Sequence, residues 1–193
     1  MSNNYFRFKQ FTIHQDKCAM KVCTDACLFG SLITQFLISN HNLLHVLDIG
    51  AGTGLLSLMY AQKNSAAIIH AVEIDEGAAQ QAIENFTVSP WKERLELHNT
   101  SIQQFSNTVI QQYNLIISNP PFFENDLKSG NHKRNLALHS SELSFEELLE
   151  AISKLLAADG VFAVLVPYHR ADEMLELAAA KNLFLMHHIN VKQ

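Results

Sequence analysis

Apolar residues recur with two different periods along the chain, and the alternation between them predicts a succession of strands and helices. Continuous apolar runs, typical of strands buried on both faces of a parallel sheet, occur at residues 43–50, 67–74, 114–118 and 161–166, with a shorter strand at 94–98. Helical spacing of apolar residues separates them at residues 55–61, 78–86, 148–156 and 170–181. A sixth strand is predicted at 183–191. Repeated strand–helix units predict an α/β fold with a mostly parallel, doubly wound sheet.

Capping and breaking residues mark where one of these helices begins and ends. Ser144 and Glu147 have the spacing of a capping box, in which each side chain bonds the backbone of the other. We expect the helix that they begin to close near Gly160.

The first 39 residues precede this alternating pattern and form a separate block. Phe6, Phe8, Phe11 and Ile13 approximate the alternation of a strand, and an apolar helix follows at residues 28–37. Thr24 or Asp25 is the predicted N-cap of that helix, because both residue types accept hydrogen bonds from free backbone N–H groups.

Composition narrows the class of protein. The 193 residues are 48% hydrophobic and 17% charged, which suits one globular domain. No apolar run approaches the ~20 residues of a membrane helix, and the first ten residues lack the apolar core of a signal peptide, so we expect a cytoplasmic protein without a membrane partner. The spacing of Cys18, Cys23 and Cys27 favours neither a disulfide framework nor a metal site. Nothing in the pattern determines the oligomeric state.

A glycine-rich turn follows the first core strand and carries the first candidate chemistry. It contains Asp48, Gly50, Gly52 and Gly54, and Glu73 ends the next strand, where a carboxylate can accept hydrogen bonds from ribose hydroxyls. Dinucleotide folds use a different spacing that brings pyrophosphate onto helix N–H groups. A carboxylate two residues before the first glycine repels pyrophosphate but tolerates an ammonium and a sulfonium, which favours S-adenosylmethionine as cofactor.

The tetrapeptide Asn119-Pro120-Pro121-Phe122 follows the fourth core strand and should lie in the same crevice. An exocyclic amino nitrogen is a weak nucleophile because its lone pair is delocalised into the ring. Two acceptors that bind its N–H groups, the Asn119 side-chain oxygen and the Pro120 carbonyl, would pull it toward tetrahedral geometry. Prolines keep the turn rigid, and Phe122 offers a face on which a base can stack.

With these motifs the chain resembles Class I methyltransferases that carry an NPP(F/Y) signature. It is most similar to the bacterial family that methylates N6 of adenosine-37 in a valine tRNA. The resemblance rests on residues 8–11, 18–25, 48–54 and 119–122. It implies a Rossmann-like core at residues 43–193 behind a lid block at 1–39, in one domain spanning 1–193.

The resemblance also implies roles for individual residues. Lys21, Thr24 and Asp25 would line the cofactor or target pocket, although Thr24 and Asp25 could serve only as helix caps. Asn119 would contact the cofactor as well as the target. Ser101 stands where the family pattern has an aspartate for the adenine amino group of the cofactor. The chain also lacks room for the final antiparallel strand of the fold, and we expect a shortened version of it.

A net charge of −5 requires that any contact with RNA come from local basic patches. Lys133 and Arg134, after the Asn119 motif, should bind phosphates of a tRNA substrate. Cations of the N-terminal block should border the same mouth: Arg7, Lys9, Lys17 and Lys21. Two alternatives remain open. One is another amino-group methyltransferase, such as one acting on guanine N2 of rRNA. The other is a non-catalytic scaffold that binds cofactor or RNA.

Overall fold

The computed structural model describes residues 3–18, 20–36, 45–120 and 143–191. Two strands of the N-terminal block come first, β1 (Tyr5–Arg7) and β2 (Thr12–His14). A parallel sheet at the centre of the described part contains five more: β3 (His45–Ile49), β4 (Ile68–Glu73), β5 (Leu95–Asn99), β6 (Tyr113–Ser118) and β7 (Leu156–Val164). Their order across the sheet is β5-β4-β3-β6-β7. The predicted Rossmann-like α/β class is therefore confirmed.

Helices cover both faces of the sheet. They are α1 (Thr24–Phe36), α2 (Leu55–Lys63), α3 (Glu76–Thr87), α4 (Ile102–Thr108), α5 (Phe145–Leu155) and α6 (Ala171–Ala180), with 3₁₀ turns at Lys92–Arg94 and Tyr168–Arg170. Apolar side chains of α4, α5 and α6 form one buried core with the sheet. Those of α1, α2 and α3 pack on the other face. Apolar burial on both faces explains why the strands have continuous apolar sequences.

The start of α5 agrees with the prediction, but its end does not. The Ser144 hydroxyl accepts a hydrogen bond from Glu147 N, and the Glu147 carboxylate accepts one from Ser144 N, as a capping box requires. The helix ends at Leu155, and β7 begins at the next residue. Leu156 pairs with Tyr113 and Val161 with Leu115, so that residues 157–160 form a bulge. The alanines of this bulge suit a helix equally well, which is why helical spacing overestimated its length.

The predicted sixth strand at residues 183–191 is wrong. This segment is irregular, and its large side chains are exposed: Phe184, Leu185, Met186, Ile189 and Val191. Alternation of side chains describes only the two sides of an extended chain. A strand also needs a neighbouring backbone to pair with, and among the described residues β7 pairs with β6 alone.

The N-terminal block folds as a hairpin followed by a helix. Antiparallel strands β1 (Tyr5–Arg7) and β2 (Thr12–His14) are joined by a turn in which Phe8 N donates to Phe11 O at 2.9 Å. The single alternating segment of the sequence is therefore two short strands. Thr24 is the first residue of α1 and Asp25 lies in its first turn. Within the described ranges, no helix is long and apolar enough to cross a membrane.

Candidate active site

The chain reverses its direction of travel across the sheet between β3 and β6. From β3 it proceeds outward through β4 to β5, then returns to place β6 on the other side of β3. At such a switch point the loops after the two strands separate and leave a crevice beyond their carboxyl ends. The glycine turn follows β3, and Asn119 follows β6, so both candidate motifs lie at this crevice.

The glycine turn has a backbone that side chains disfavour. Gly50, Gly52 and Gly54 have φ values of 71°, 55° and 78°. No heavy atom lies within 4 Å of where a Cβ would stand on Gly50 or Gly52, so this side of the turn faces open space. A Cβ on Gly54 would come within 2.4 Å of the Phe86 ring. The first two glycines therefore leave room for a ligand, while Gly54 allows α3 to pack closely.

Asp48 is fully buried at the end of β3 and has one unsatisfied oxygen. Its Oδ2 accepts hydrogen bonds from Ser57 Oγ at 2.6 Å and Ser57 N at 3.1 Å. Its Oδ1 is buried and has no hydrogen-bond partner among the described residues. Burial raises the pKa of Asp48 to about 6, although the bonds from Ser57 oppose the shift. A cationic group of a ligand would satisfy the free oxygen.

Glu73 joins the end of β4 to the glycine turn. Its Oε2 accepts from Gly52 N at 2.8 Å and its Oε1 from Asp75 N at 2.9 Å. Asn99, at the end of β5, donates its Nδ2 to the Glu73 backbone oxygen at 2.8 Å. The next residue, Ile74, is 60% exposed beside this carboxylate. Ile74 was not predicted as a site residue, although an apolar residue directly after an acidic strand end was a signal for it.

Asn119 and Pro120 emerge next to the glycine turn. Ser118 pairs with Ile49 and donates its Oγ to the Ile49 carbonyl at 2.9 Å, and Gly50 follows Ile49. Pro120 is buried, whereas Asn119 is partly exposed. The structure thus brings Asn119 and Pro120 to the glycine turn, as predicted. Pro121, Phe122, Lys133 and Arg134 lie outside the described residues.

A cavity of about 1020 Å³ has Asn119 in its wall together with most of β7, the strand that lies on the other side of β6 from β3. Asn119 and Pro120 line it together with Met20, Cys23 and Asp25 from the N-terminal block. The remaining wall is mostly apolar and comes from α1, β7, α6 and the segment 182–191. Asp25 therefore shares a cavity with Asn119, while Thr24 and Lys21 do not line it.

Ser101 and Lys17, two further predicted residues, each have a structural partner. Ser101 is the N-cap of α4, and its hydroxyl accepts a hydrogen bond from Gln104 N. A serine hydroxyl has a second lone pair and a proton of its own, so this role leaves it able to bind another group. Lys17 forms an ion pair with Glu84 on α3.

The predicted position of Arg7 and Lys9 at the mouth of the site is wrong. Both residues lie at the turn of the β1–β2 hairpin, where Phe11 contacts Trp91 edge-on with ring centroids 5.7 Å apart. Trp91 follows α3 and precedes β5, which places it at the amino end of the sheet. The positive charges alone could not predict whether the hairpin turn would lie at the carboxyl or the amino end of the sheet.

Cys18, which follows the hairpin, lies on the side of the crevice that carries Glu73 and Asp75. Cys18 is buried there, and burial raises the pKa of its thiol to about 11, with further contributions from Glu73, Asp75 and Asp16. Burial also raises the pKa of Cys27, whereas Cys23 is exposed. No group of three or more potential metal ligands occurs in the part of the chain that the structure describes.

Known proteins that are similar to this chain are methyltransferases. Residues 23–143 match the family described as "Methyltransferase small domain". A protein of Cytophaga hutchinsonii named tRNA1(Val) (adenine(37)-N6)-methyltransferase is 47% identical over 92% of this chain and 73% of its own. One of the same name from Dyadobacter fermentans is 49% identical over 92% and 71%. A solved S-adenosylmethionine-dependent methyltransferase of Agrobacterium tumefaciens shares the fold, with a TM-score of 0.68 at 14% identity, covering 95% of this chain and 59% of that one.

Proposed function

The chain belongs to the family of tRNA1(Val) (adenine(37)-N6)-methyltransferases, and we propose that it methylates N6 of adenine-37 in that tRNA. The observation that carries the proposal is the position of Asn119. It stands between the glycine turn and the cavity, where a methyl donor on one side and a base on the other would meet. Its side chain suits an amino group as the acceptor of the methyl.

The residues of the glycine turn fit the cofactor S-adenosylmethionine. The free Asp48 Oδ1 suits the ammonium of its methionine part, and the open faces of Gly50 and Gly52 leave room for it. Glu73 retains lone pairs for ribose hydroxyls, and the exposed Ile74 offers an apolar surface to the adenine. When bound, the cofactor supplies a methyl group activated by a sulfonium.

Further contacts to the cofactor complete this proposal. Ser101 would accept a hydrogen bond from the adenine amino group in addition to capping α4. Lys21, Thr24 and Asp25 would line the pockets from the N-terminal side, with Asp25 on the target side.

The target base would be held by the motif that begins at Asn119. The Asn119 side-chain oxygen and the Pro120 carbonyl would accept the two N–H groups of the adenine amino group, exposing its lone pair toward the methyl. Stacking of the base on Phe122, next to the rigid Pro121, would add about 1–3 kcal/mol. Directly after transfer the nitrogen carries the ring carbon, the methyl, two hydrogens and a positive charge, which makes it acidic, so water can take one proton without a dedicated base.

A methyl-transfer assay on defined RNAs tests the proposed function. The unmodified tRNA1(Val) transcript, the same transcript with guanine at position 37, an rRNA fragment and a DNA duplex are incubated with labelled S-adenosylmethionine. We expect label only in the first, recovered as N6-methyladenosine at position 37 by mass spectrometry. Label in the guanine-37 transcript or in rRNA would indicate a different amino-group methyltransferase. Cofactor binding without transfer to any substrate would indicate a scaffold.

The titration of Asp48 predicts how cofactor affinity depends on pH. Because the pKa of Asp48 is raised, the folded protein without ligand holds this carboxyl in its neutral form below about pH 6. The contribution of the neutral carboxyl to the stability of the fold is lost as the pH rises through about 6. The ammonium of a bound cofactor would favour the ionised form of Asp48 instead. The affinity for S-adenosylhomocysteine should therefore fall as pH drops below about 6, by up to about tenfold per pH unit.

Calorimetric titrations from pH 5 to 8 measure this effect. Asp48→Asn should bind more weakly at pH 7.5 and lose the step near pH 6. A step that persists in Asp48→Asn would assign the titration to another group and remove Asp48 from the ammonium site.

Contacts between Lys133 and Arg134 and tRNA phosphates predict a change in salt dependence. Each phosphate contact contributes about 0.7–0.9 to the slope of log affinity against log salt concentration. Reversal of both residues to glutamate should weaken tRNA binding and flatten this slope, with cofactor affinity unchanged. The matched control reverses Arg7 and Lys9, at the far end of the sheet, and should leave the slope nearly unaltered. Equal slopes in the wild type and the Lys133/Arg134 variant would show that the RNA binds elsewhere.

A further inference from the structure

One face of α3 holds the connecting segment, defined as residues 14–18, that leads from β2 to the crevice. Three residues spaced by four face it: Gly77, Gln81 and Asn85. A Cβ on Gly77 would lie 3.0 Å from the Lys17 carbonyl oxygen, so the two backbones touch there. Gln81, 1% exposed, accepts a hydrogen bond from Lys17 N at 3.1 Å. The segment is therefore bound to the helix at several points.

Asn85 differs from these neighbours because it binds two separate parts of the chain. It is 0% exposed. Its Oδ1 accepts from His14 N at 2.9 Å, and its Nδ2 donates to His14 O at 2.9 Å. The same Nδ2 donates to Thr53 O, also at 2.9 Å. Thr53 lies between Gly52 and Gly54, so one carboxamide joins the glycine turn to the end of β2.

The geometry of these bonds requires a carboxamide. The site presents two carbonyl oxygens and one N–H group, and a carboxamide supplies the matching two donors and one acceptor. A carboxylate would direct an acceptor at two carbonyls, and an apolar side chain would leave the buried Thr53 carbonyl without this donor. The glycine turn is thus held from two sides, by Glu73 at Gly52 N and by Asn85 at Thr53 O.

The connecting segment continues directly to the functional residues. Cys18, its last residue, lies close enough to Glu73 for that carboxylate to raise its pKa. Gln15 accepts a hydrogen bond from Val22 N at 2.9 Å and so holds the chain between Met20 and Cys23, which both line the cavity. Asn85 therefore stands where the cofactor side and the N-terminal wall of the target cavity are joined.

We infer that Asn85 is a positioning residue that sets the conformation of the glycine turn for S-adenosylmethionine and couples the turn to the connecting segment. The inference rests on the proposed use of the glycine turn as the cofactor site. Asn85 touches no reacting atom, so its effect falls on cofactor binding and not on the rate of methyl transfer at saturation.

Asn85→Leu and Gln81→Leu form a matched pair that tests this inference. Both remove a buried amide from the same face of α3 and release the connecting segment, but only Asn85 bonds the glycine turn. Affinity for S-adenosylhomocysteine is measured by calorimetry, steady-state constants with tRNA1(Val), and exposure of the segment by limited proteolysis at Lys17. For Asn85→Leu we expect about a tenfold loss of cofactor affinity and an equal rise in KM, with kcat within about threefold. Gln81→Leu should retain cofactor affinity within about twofold, while proteolysis increases in both variants.

Asn85→Asp keeps the volume and the acceptor for His14 N but loses both donors, and it should weaken cofactor binding as well. It serves as the deciding variant if Asn85→Leu does not fold. Equal losses of affinity in the Asn85 and Gln81 variants would overturn the inference, because they would reduce Asn85 to an anchor of the segment. A loss of kcat at saturating cofactor would also overturn it. The wild type is measured in the same assay. If it methylates the tRNA, these outcomes concern only Asn85; if it does not, the proposed function itself has failed.

Discussion

Replacement of Asn119 by alanine is expected to reduce kcat for methyl transfer by about two to three orders of magnitude, with cofactor affinity changed by less than about threefold. The expected loss has the size found when one hydrogen-bonding group directed at a transition state is removed, about 3–4 kcal/mol. Asn119 would bind the amino group most strongly when positive charge develops on the nitrogen, because its oxygen is an acceptor. The effect therefore falls on the chemical step.

Single-turnover kinetics with saturating tRNA1(Val) and cofactor measure this step directly. Asn114→Ala is a suitable control because Asn114 is the second residue of β6, at the end opposite to Asn119, and accepts a hydrogen bond from His45 N at 3.1 Å. It should affect stability and leave the single-turnover rate within about threefold, as expected for a residue remote from the reacting atoms. An Asn119→Ala rate within about threefold of the wild type would exclude Asn119 as a ligand of the target nitrogen.

Replacement of Glu73 by alanine is expected to weaken cofactor binding by about two orders of magnitude. Two effects combine. The ribose loses a charged acceptor, a contact that contributes about 1.5–3 kcal/mol, and the glycine turn loses the bond from Gly52 N to Glu73 Oε2. Glu73→Gln should not restore the affinity. Both carboxylate oxygens accept from backbone N–H groups, and an amide nitrogen would face one of them, Gly52 or Asp75.

Calorimetry with S-adenosylhomocysteine and KM values for S-adenosylmethionine report the loss. Glu76→Ala removes an exposed carboxylate three residues further along the chain and controls for the change in charge. Similar affinities for Glu73→Ala and Glu76→Ala would show that the ribose binds elsewhere. A normal KM with a reduced kcat would place Glu73 at the chemical step instead.

The centre of the fold and the glycine turn could be predicted because local sequence determines them. Strands β3, β4 and β6 are buried on both faces, which requires continuous apolar runs, and a glycine turn with three positive φ values leaves few alternatives. Ser144 and Glu147 form their capping box from residues three positions apart. The adjacency of Gly50 and Asn119 follows from the order of parallel strands.

The wrong predictions, and the features that the sequence did not reveal, depend on residues distant in the chain. The bulge at residues 157–160 depends on how β7 pairs with β6, and the irregular segment at 183–191 depends on whether a backbone edge pairs with it. The bonds of Asn85 join residues 71 and 32 positions away in the chain, and a lone asparagine within a helix carries no sign of them. The same applies to the second oxygen of Asp48, whose isolation depends on burial by the whole domain.

The unequal settings of the three cysteines have a practical consequence for spectroscopy. Thiol reagents attack the thiolate, and burial raises the pKa of Cys18 to about 11 and also raises that of Cys27. Cys23 is exposed and lies on the wall of the cavity that contains Asn119. The natural sequence therefore offers one readily labelled position beside the cavity, where a fluorophore would report the arrival of RNA without engineered cysteines.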